Sequence, residues 1–298
     1  MKDRVDFLVI GAQKSGTTSL FKYIQNHPQL YVPPQKEVNF FANSDRYSKG
    51  LDWYIENFFR GVEEEKLWGE VCPSYMGYSS APDYIRETCP DVKLVAILRN
   101  PIDRAYSHYR MSIRRETETR SFEQVVKELA ESPVEAPESK VLDDSPFLLD
   151  FGLYGKSLGR YLRHFGRERF LILFQEDLTA RPEETLVELF SFLGVDTGYR
   201  PPNLGREYHV GGEKRFFGLA DRLRERKAVK KAVKSVLRSR RSMEAARFWY
   251  EQINIKPVKV AGPSPEERRF LKGVFEEDVA LLERLFSVNV PWPEFRGG

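Results

Sequence analysis

The sequence predicts an α/β fold, a single domain over residues 1–298 with a central parallel sheet flanked by helices. Apolar, β-rich runs that predict strands lie at residues 5–10, 67–70, 92–98 and 169–174. Segments with helical spacing alternate with these runs, at residues 17–26, 51–59, 81–88, 102–115 and 182–193. Because parallel strands need crossover connections and helices usually supply them, this alternation favours a parallel sheet covered on both faces.

Composition excludes several other classes of protein. Of the 298 residues, 41% are hydrophobic and 13% aromatic, which excludes a mainly disordered chain. The net charge is only +3, so no general polyanion-binding surface and no nucleic-acid partner are expected. The two cysteines and four histidines are scattered without metal-ligand spacing, so we expect neither a disulfide scaffold nor a metal site.

The hydropathy pattern predicts no membrane-spanning segment, because no apolar run approaches the roughly 20 residues that cross a bilayer. The chain begins with the residues MKDR and passes directly into a strand-like run, without the apolar region of a signal peptide. We therefore expect a cytoplasmic protein.

Two stretches interrupt the alternation of strands and helices. Residues 131–150 are rich in proline and acidic residues and predict an exposed loop, either a flap over a site or a plain surface insertion. Residues 219–298 predict a helical C-terminal part that closes with a helix at 265–286. Within this part, Arg222–Arg241 carries ten Lys or Arg in 20 residues, with apolar residues at helical spacing. Such an amphipathic basic helix is either a solvated face over a core stripe or a contact for an anionic partner or a membrane surface.

The segment from Gly11 to Ser19, GAQKSGTTS, joins the first predicted strand to the first predicted helix. Small residues let a backbone wrap an anion, and a helix N-terminus adds favourable potential and free N–H donors. Lys14 adds a full positive charge, and the hydroxyls that follow it add donors. The alternative is a simple tight turn, but this combination of residues favours phosphate binding.

This loop departs from a Walker A motif in one specific way. That motif requires G-x-x-x-x-G-K-[ST], and here Thr17 stands where its lysine belongs, while the lysine lies inside the loop at Lys14. A nucleotide triphosphatase also uses a carboxylate to hold Mg²⁺, and the strand at 92–98 leads instead into Arg99. The pattern indicates charge neutralisation by side chains without a metal.

Two motifs together resemble the sulfotransferases that use 3′-phosphoadenosine 5′-phosphosulfate (PAPS). The residues KSGTTSL, beginning at Lys14, resemble the 5′-phosphosulfate loop of that family. The residues RNPIDRAYS, from Arg99 to Ser107, resemble its 3′-phosphate motif R-x-P-x-x-R-x-x-S. Further similarity lies in KEVNFF from Lys36, KGLDWY from Lys49, QEDL from Gln175 and VGGEKR from Val210.

The resemblance implies a fold related to nucleotide kinases, PAPS as co-substrate and adenosine 3′,5′-bisphosphate as product. It also implies in-line transfer of a sulfuryl group to a hydroxyl or amine of an acceptor. The most similar branch is that of the heparan-type carbohydrate sulfotransferases and their bacterial relatives. That branch carries Glu-Lys where this chain has Glu70-Val71. One cationic group is therefore missing, and a glycan, a lipid, a small metabolite and a carrier-bound acyl chain all stay open as acceptors.

The resemblance also implies the roles of individual residues. Lys14 is the expected stabiliser of the leaving oxygen, and Glu37 is the expected general base, shielded by the aromatic pair that follows it. An ion pair of Glu37 with Lys36 is the alternative interpretation. Glu70 and His108 are weaker candidates for the base. The residues expected to bind the co-substrate are Lys14, Ser15, Gly16, Thr17, Thr18, Ser19, Arg99, Ser107, Lys214 and Arg215. Arg104 is expected to be structural, paired with Asp103 or Glu176.

Two other functions stay open at this point. One is a P-loop kinase or NTPase, which would show Mg²⁺-dependent turnover of ATP. The position of Lys14 inside the loop argues against this function. A non-catalytic polyanion-binding protein would use Arg222–Arg241 and would bind with a steep dependence on salt.

Overall fold

A computed structural model describes residues 3–138, 141, 144–205, 213–214, 255–256 and 262–296. The strands are β1 (Phe7–Gly11), β2 (Leu30–Tyr31), β3 (Leu67–Val71), β4 (Lys93–Leu98), β5 (Phe170–Phe174), β6 (Glu213–Lys214) and β7 (Ile255–Lys256). The helices are α1 (Thr17–Gln25), α2 (Ser44–Tyr47), α3 (Leu51–Phe58), α4 (Ala81–Thr88), α5 (Pro101–Arg114), α6 (Phe122–Glu131), α7 (Tyr154–Leu162), α8 (Gln175–Ala180), α9 (Pro182–Leu193) and α10 (Pro265–Phe286).

Five strands form one parallel sheet in the order β2-β3-β1-β4-β5. Along β1, Phe7 and Val9 pack into one apolar cluster, while Leu8 and Ile10 pack into the other. Side chains of a strand alternate between its two faces, so a strand that is apolar throughout requires cover on both. This explains why the strands read as continuous apolar runs, and it confirms the predicted fold class.

Local signals set the starts of the helices that matter for the site. The Asn100 side chain accepts a hydrogen bond from the Ile102 N–H at 3.0 Å, and Pro101 occupies the first position of α5. Ser264 and Glu267 form a capping box at the start of α10. Proline suits a first helical position because its missing N–H has no partner there in any case.

The predicted strands of the sheet and the predicted helices are confirmed, with small shifts at their ends, as is the helix predicted at 265–286. Sequence patterns missed the two-residue edge strand β2 and the helices α2, α6, α7 and α8, of which α7 contains Gly155 and Gly159. Glycine weakens a helix prediction. At Gly155 a Cβ would lie 2.6 Å from the Asp278 carbonyl oxygen, so glycine is what lets α7 approach α10.

In the acidic, proline-rich stretch at 131–150, the described residues before 139 and those from 144 onward differ in exposure. Residues 132–135 and 138 are exposed, whereas Asp144 and Asp150 are buried together with Leu148 and Leu149. The expectation of an exposed loop is therefore wrong for residues 144–150, except at Pro146, which is exposed. Apolar residues draw the later part into the core, and proline and charge dominate the composition of the earlier part.

The chain divides into two compact units, residues 1–208 with 262–298 and residues 209–261. In the second unit the structure describes the antiparallel pair of β6 and β7. The predicted basic helix at Arg222–Arg241 lies outside the described residues, and the single-domain organisation stays a prediction. No helix in the described part of the chain is long and apolar enough to cross a membrane.

Candidate active site

The phosphate loop, residues 11–19, turns back on itself between β1 and α1. The Ala12 N–H donates to the Ile97 carbonyl of β4 at 2.7 Å, which ties the loop to the centre of the sheet. Lys14 and Gly16 have φ angles of 72° and 87°, in the left-handed region. At Gly16 a Cβ would also lie 3.1 Å from the Gln175 side chain. The backbone conformation therefore favours glycine at the second glycine of the motif, and a larger residue there would also displace the Gln175 side chain.

Lys14 lies in a concentration of positive charge. Burial first, and then the surrounding cations, lower the pKa of Lys14 to about 8. Those cations are Arg114, Arg115, Arg99 and Lys36. Cations that repel one another in a partly buried place are stabilised when an anion binds, so this region fits a multiply charged anion.

The two predicted anion sites meet at the carboxyl edge of the sheet. Arg99 follows β4, and its guanidinium Nη1 donates to the Lys14 carbonyl oxygen at 3.4 Å. Tyr154 donates its hydroxyl to the Arg99 carbonyl at 2.9 Å and so fixes the backbone there. Ser107 is half-buried and lies on α5, the helix that begins just after Arg99 and Asn100. Ligands of open α/β sheets bind at this edge.

The other predicted residues of the loop lie at the start of α1. Ser15 and Thr17 are buried, while Thr18 and Ser19 are partly exposed in the first turn. Lys214 lies in β6, in the second unit of the chain, and Arg215 lies outside the described residues.

Glu37 lies beside the phosphate loop. Lys36 Nζ is 2.8 Å from Glu37 Oε1 and 3.4 Å from Thr17 Oγ1, so one ammonium connects the carboxylate to the first residue of α1. The ion pair between Glu37 and Lys36 thus forms, and it lies at the candidate site.

The expectation that Phe40 and Phe41 shield the Glu37 carboxyl is wrong. Both rings are fully buried in the core, whereas 40% of the Glu37 side chain is exposed, so an ammonium and not an aromatic pair flanks its carboxyl.

The structure excludes Glu70 as the base, because its carboxyl is only 1% exposed. It accepts hydrogen bonds from the hydroxyls of Tyr54 and Tyr75 at 2.6 and 2.7 Å, and from the Asn39 N–H at 3.2 Å. Burial raises the pKa of Glu70 while these donors oppose the shift. Surrounded in this way, the carboxyl has no access to an acceptor. Val71, where the related branch carries lysine, is buried at the end of β3.

His108 is fully buried and also fails as a base. Burial lowers its pKa to about 4, so the imidazole is neutral near pH 7. Its Nδ1 lies 3.3 Å from Arg104 Nη1 and its Nε2 lies 3.3 Å from Asp144 Oδ1. Since a guanidinium only donates, Nδ1 must accept and the proton must reside on Nε2, facing the carboxylate. His108 is a structural link with a fixed tautomer.

Arg104 is structural, as expected, but its predicted partners are wrong. It is fully buried and donates to the Leu148 carbonyl as well as facing His108. Asp103 pairs instead with Arg268 of α10, and Glu176 accepts the Asn100 N–H at 2.9 Å. Both acidic groups therefore brace the turn that follows Arg99.

Sequence reasoning missed the role of Asp144. Its carboxylate accepts from Gln13 Nε2 of the phosphate loop at 2.7 Å and from Arg115 Nη1 at 3.1 Å. This ties the buried half of residues 131–150 to the phosphate loop and to the end of α5. Sequence reasoning also missed that Arg114 and Arg115 act on Lys14. The only sequence signal for this role is that two adjacent arginines end a predicted helix.

Comparison with known proteins identifies the family. Residues 4–205 match the model of the sulfotransferase domain. The chain belongs to this family, whose members are enzymes that transfer a sulfuryl group and generally use PAPS. The predicted family and fold are confirmed.

Three similar proteins illustrate the range of the family. A membrane-associated sulfotransferase, kil1, of Dictyostelium discoideum is 37% identical over 110 residues, covering 36% of this chain and 23% of its own. The heparan sulfate glucosamine 3-O-sulfotransferase 3A1 of Mus musculus is 31% identical over 188 residues, covering 63% of this chain and 45% of its own. The crystal structure of a sulfotransferase from Alicyclobacillus acidocaldarius has a TM-score of 0.67 and 25% identity, covering 96% of this chain and 97% of its own.

The chain therefore spans less than half the length of these two curated relatives. Within the described ranges of this sulfotransferase domain, no group of three or more His, Cys, Asp or Glu could hold a metal ion.

Proposed function

We propose that this sulfotransferase domain transfers a sulfuryl group from PAPS to a hydroxyl or amine of an acceptor, leaving adenosine 3′,5′-bisphosphate. One observation supports the proposal: at the carboxyl edge of the sheet, the Arg99 guanidinium of one predicted anion site donates to the Lys14 backbone carbonyl of the other at 3.4 Å. A nucleotide with phosphate on both its 3′ and 5′ positions engages both sites, whereas ATP leaves the second one empty.

The residues present fit PAPS. The left-handed turn at Lys14 and Gly16 and the start of α1 offer backbone donors and positive charge for the 5′ end. Arg99 offers a two-pronged donor and Ser107 a hydroxyl for the 3′-phosphate. Lys214 and Arg215, next to two glycines, are proposed to close over the nucleotide.

PAPS supplies the sulfuryl group when bound, and the protein needs to supply little covalent chemistry. Lys14 contributes positive charge where negative charge grows on the leaving phosphate. Glu37 accepts the proton of the acceptor at its carboxylate, and Lys36, 2.8 Å away, holds that carboxylate beside Thr17. Since side chains supply all of this charge, we expect turnover without a metal, and therefore in the presence of excess EDTA.

The acceptor class stays open. One relative is named for glucosamine of heparan sulfate, but at the matching place this chain has the buried Val71 instead of a lysine. A glycan, a lipid or a small metabolite is proposed, with peripheral membrane contact through Arg222–Arg241 as a further possibility. Cytoplasmic location also stays a prediction.

The test is a transfer assay. The protein is incubated with ³⁵S-labelled PAPS and a library of hydroxyl and amine acceptors, with excess EDTA in a parallel reaction. We expect a labelled product and an equal amount of adenosine 3′,5′-bisphosphate. Turnover of ATP that requires Mg²⁺, without transfer of label from PAPS, would favour the kinase alternative.

A further inference from the structure

The loop that carries Glu37 has an unusual backbone. Glu37 and Asn39 have φ angles of 62° and 58°, in the left-handed region that residues with a side chain rarely adopt. Asparagine tolerates this region, but a glutamate there costs on the order of 1–3 kcal/mol and persists only when the surrounding structure holds it in place. The base loop, residues 36–39, must therefore be held from outside.

The end of β3 supplies that support through three consecutive residues. Glu70 Oε1 accepts the Asn39 N–H at 3.2 Å, and the Val71 carbonyl accepts the Glu37 N–H at 3.3 Å. The Cys72 thiol lies 3.3 Å from Asn39 Oδ1. Asn39 in turn donates its side-chain amide to the Glu37 carbonyl at 2.5 Å. Both left-handed residues are thus fixed to one strand end.

Glu70 is the charged centre of this support. Its second oxygen accepts the hydroxyls of Tyr54, from α3, and of Tyr75, which follows β3. Tyr75 extends the connection, because its hydroxyl lies 3.4 Å from the Phe41 N–H just beyond the base loop. A single buried carboxyl therefore connects a strand, a helix and the base loop.

Core stability alone does not explain a carboxyl in this place. Burying an ionisable group carries a large desolvation penalty, and well-packed apolar residues often stabilise a core as well or better. The surroundings are already apolar and aromatic, with Phe40 stacked on Tyr54 at a centroid distance of 4.4 Å. What Glu70 provides that an apolar residue lacks is an acceptor that the buried hydroxyls of Tyr54 and Tyr75 share with the Asn39 N–H of the base loop.

We propose that Glu70 is a positioning residue that holds the base loop in its left-handed conformation and so places the Glu37 carboxylate beside the phosphate loop. This inference rests on the proposed role of Glu37 as the base. Glu70 itself exchanges no proton with the acceptor.

The test compares three variants in the full chain. Glu70→Met removes the acceptor at similar size, and we expect kcat to fall on the order of a hundredfold, because small misplacements of a catalytic group have effects of that size. The affinity for adenosine 3′,5′-bisphosphate should change less than about threefold, because the phosphate loop is held separately. Glu70→Gln retains an oxygen for the Asn39 N–H and should restore most of kcat. Glu118→Met is the matched control, since Glu118 is also a buried carboxyl that accepts backbone N–H groups, from Thr119 and Arg120.

A double-mutant cycle separates positioning from general damage. In a Glu37→Gln background, Glu70→Met should have no further effect on kcat, because there is no base left to misplace. An equal loss of kcat in both backgrounds would overturn the positioning role. Normal turnover of Glu37→Gln alone would instead overturn the proposed base, so the two failures are distinguishable.

If Glu70→Met does not fold, Tyr75→Phe takes its place in the same cycle. It removes the donor to Glu70 and the contact with the Phe41 N–H, and we expect a smaller loss of kcat that also disappears in the Glu37→Gln background. Persistence of that loss there would contradict the proposal.

Discussion

The phosphate loop and the base loop lie side by side at the carboxyl edge of the sheet, joined by Lys36, yet different forces hold them. The phosphate loop is left-handed at Lys14 and Gly16 and leads into α1, and β4 and Asp144 hold it through the Ala12 N–H and the Gln13 side chain. The base loop is left-handed at Glu37 and Asn39, and the end of β3 holds it. The glycine and the helix start of the phosphate loop are thus local signals in the sequence, whereas the sequence around Glu37 carries no such signal for its support.

The two loops also differ in charge. Around Lys14 the cations repel one another, so the free site is electrostatically unfavourable until an anion binds. Glu37 is instead already paired with an ammonium. Substitutions in the phosphate loop should therefore lower both the affinity for the nucleotide and the turnover rate. Substitutions in the base loop should lower the turnover rate alone.

The largest effect is expected for Lys14→Ala. Removing the positive charge at the leaving phosphate should lower kcat by about a thousandfold, the scale measured for the loss of one preorganised donor to a developing anion. Steady-state kinetics with PAPS measure it, alongside a thermal melt that confirms folding. Lys127→Ala, which removes an exposed lysine of α6 paired with Glu123, is the control. Near-normal turnover in a folded Lys14→Ala protein would remove Lys14 from catalysis.

Glu37→Gln should show that the two loops have different roles, because it should lower turnover without changing nucleotide affinity. The amide is nearly isosteric and cannot take a proton, so kcat should fall roughly several hundredfold, within the usual range for loss of a general base. The affinity for adenosine 3′,5′-bisphosphate, measured by calorimetry, should stay the same. Glu56→Gln, at an exposed residue of α3, should change neither quantity. A large loss of nucleotide affinity would show that the base loop also belongs to the anion site.

Arg99→Ala tests the second anion site. The unmodified protein should prefer adenosine 3′,5′-bisphosphate over 5′-AMP by roughly a hundredfold, because a charge-assisted hydrogen bond contributes about 1.5–3 kcal/mol and Arg99 can make two. That preference should largely vanish in Arg99→Ala, with little change for 5′-AMP. Arg169→Ala, at the residue just before β5 that pairs with Asp91, is the control. Equal affinity of the unmodified protein for both nucleotides would argue against PAPS.

The smallest effect is a pH dependence of nucleotide binding. Burial and neighbouring cations hold the pKa of Lys14 at about 8 in the free protein, and a bound anion raises it again. Binding is therefore strongest below pH 8, and affinity should fall by up to about tenfold per pH unit above it, with uptake of a proton. Calorimetry at pH 8.5 in buffers of different ionisation enthalpy measures that uptake. It should be absent in Lys14→Ala, and its persistence there would assign it to another group.

Adjacent residues were enough to predict where the strands, the tight turn and the helix start around the phosphate loop lie. The apolar runs that became β1 and β4, the glycine at 16 and the arginine after β4 are all local patterns, and each was placed correctly. Local patterns suffice there because a strand end, a tight turn and a helix start are formed by neighbouring residues. The same patterns gave no indication that Glu70 is a buried support rather than a base.

The sequence by itself determined the family, four of the five strands of the sheet and the positions of both predicted anion motifs. Only the tertiary structure decided that Asp144 reaches Gln13, that Arg114 and Arg115 lower the pKa of Lys14, and that Glu70 holds Asn39. These contacts join residues far apart in the chain, and their energies depend on burial and on which donors surround each carboxyl. No periodicity or motif records such surroundings, because they arise only when separate elements pack together.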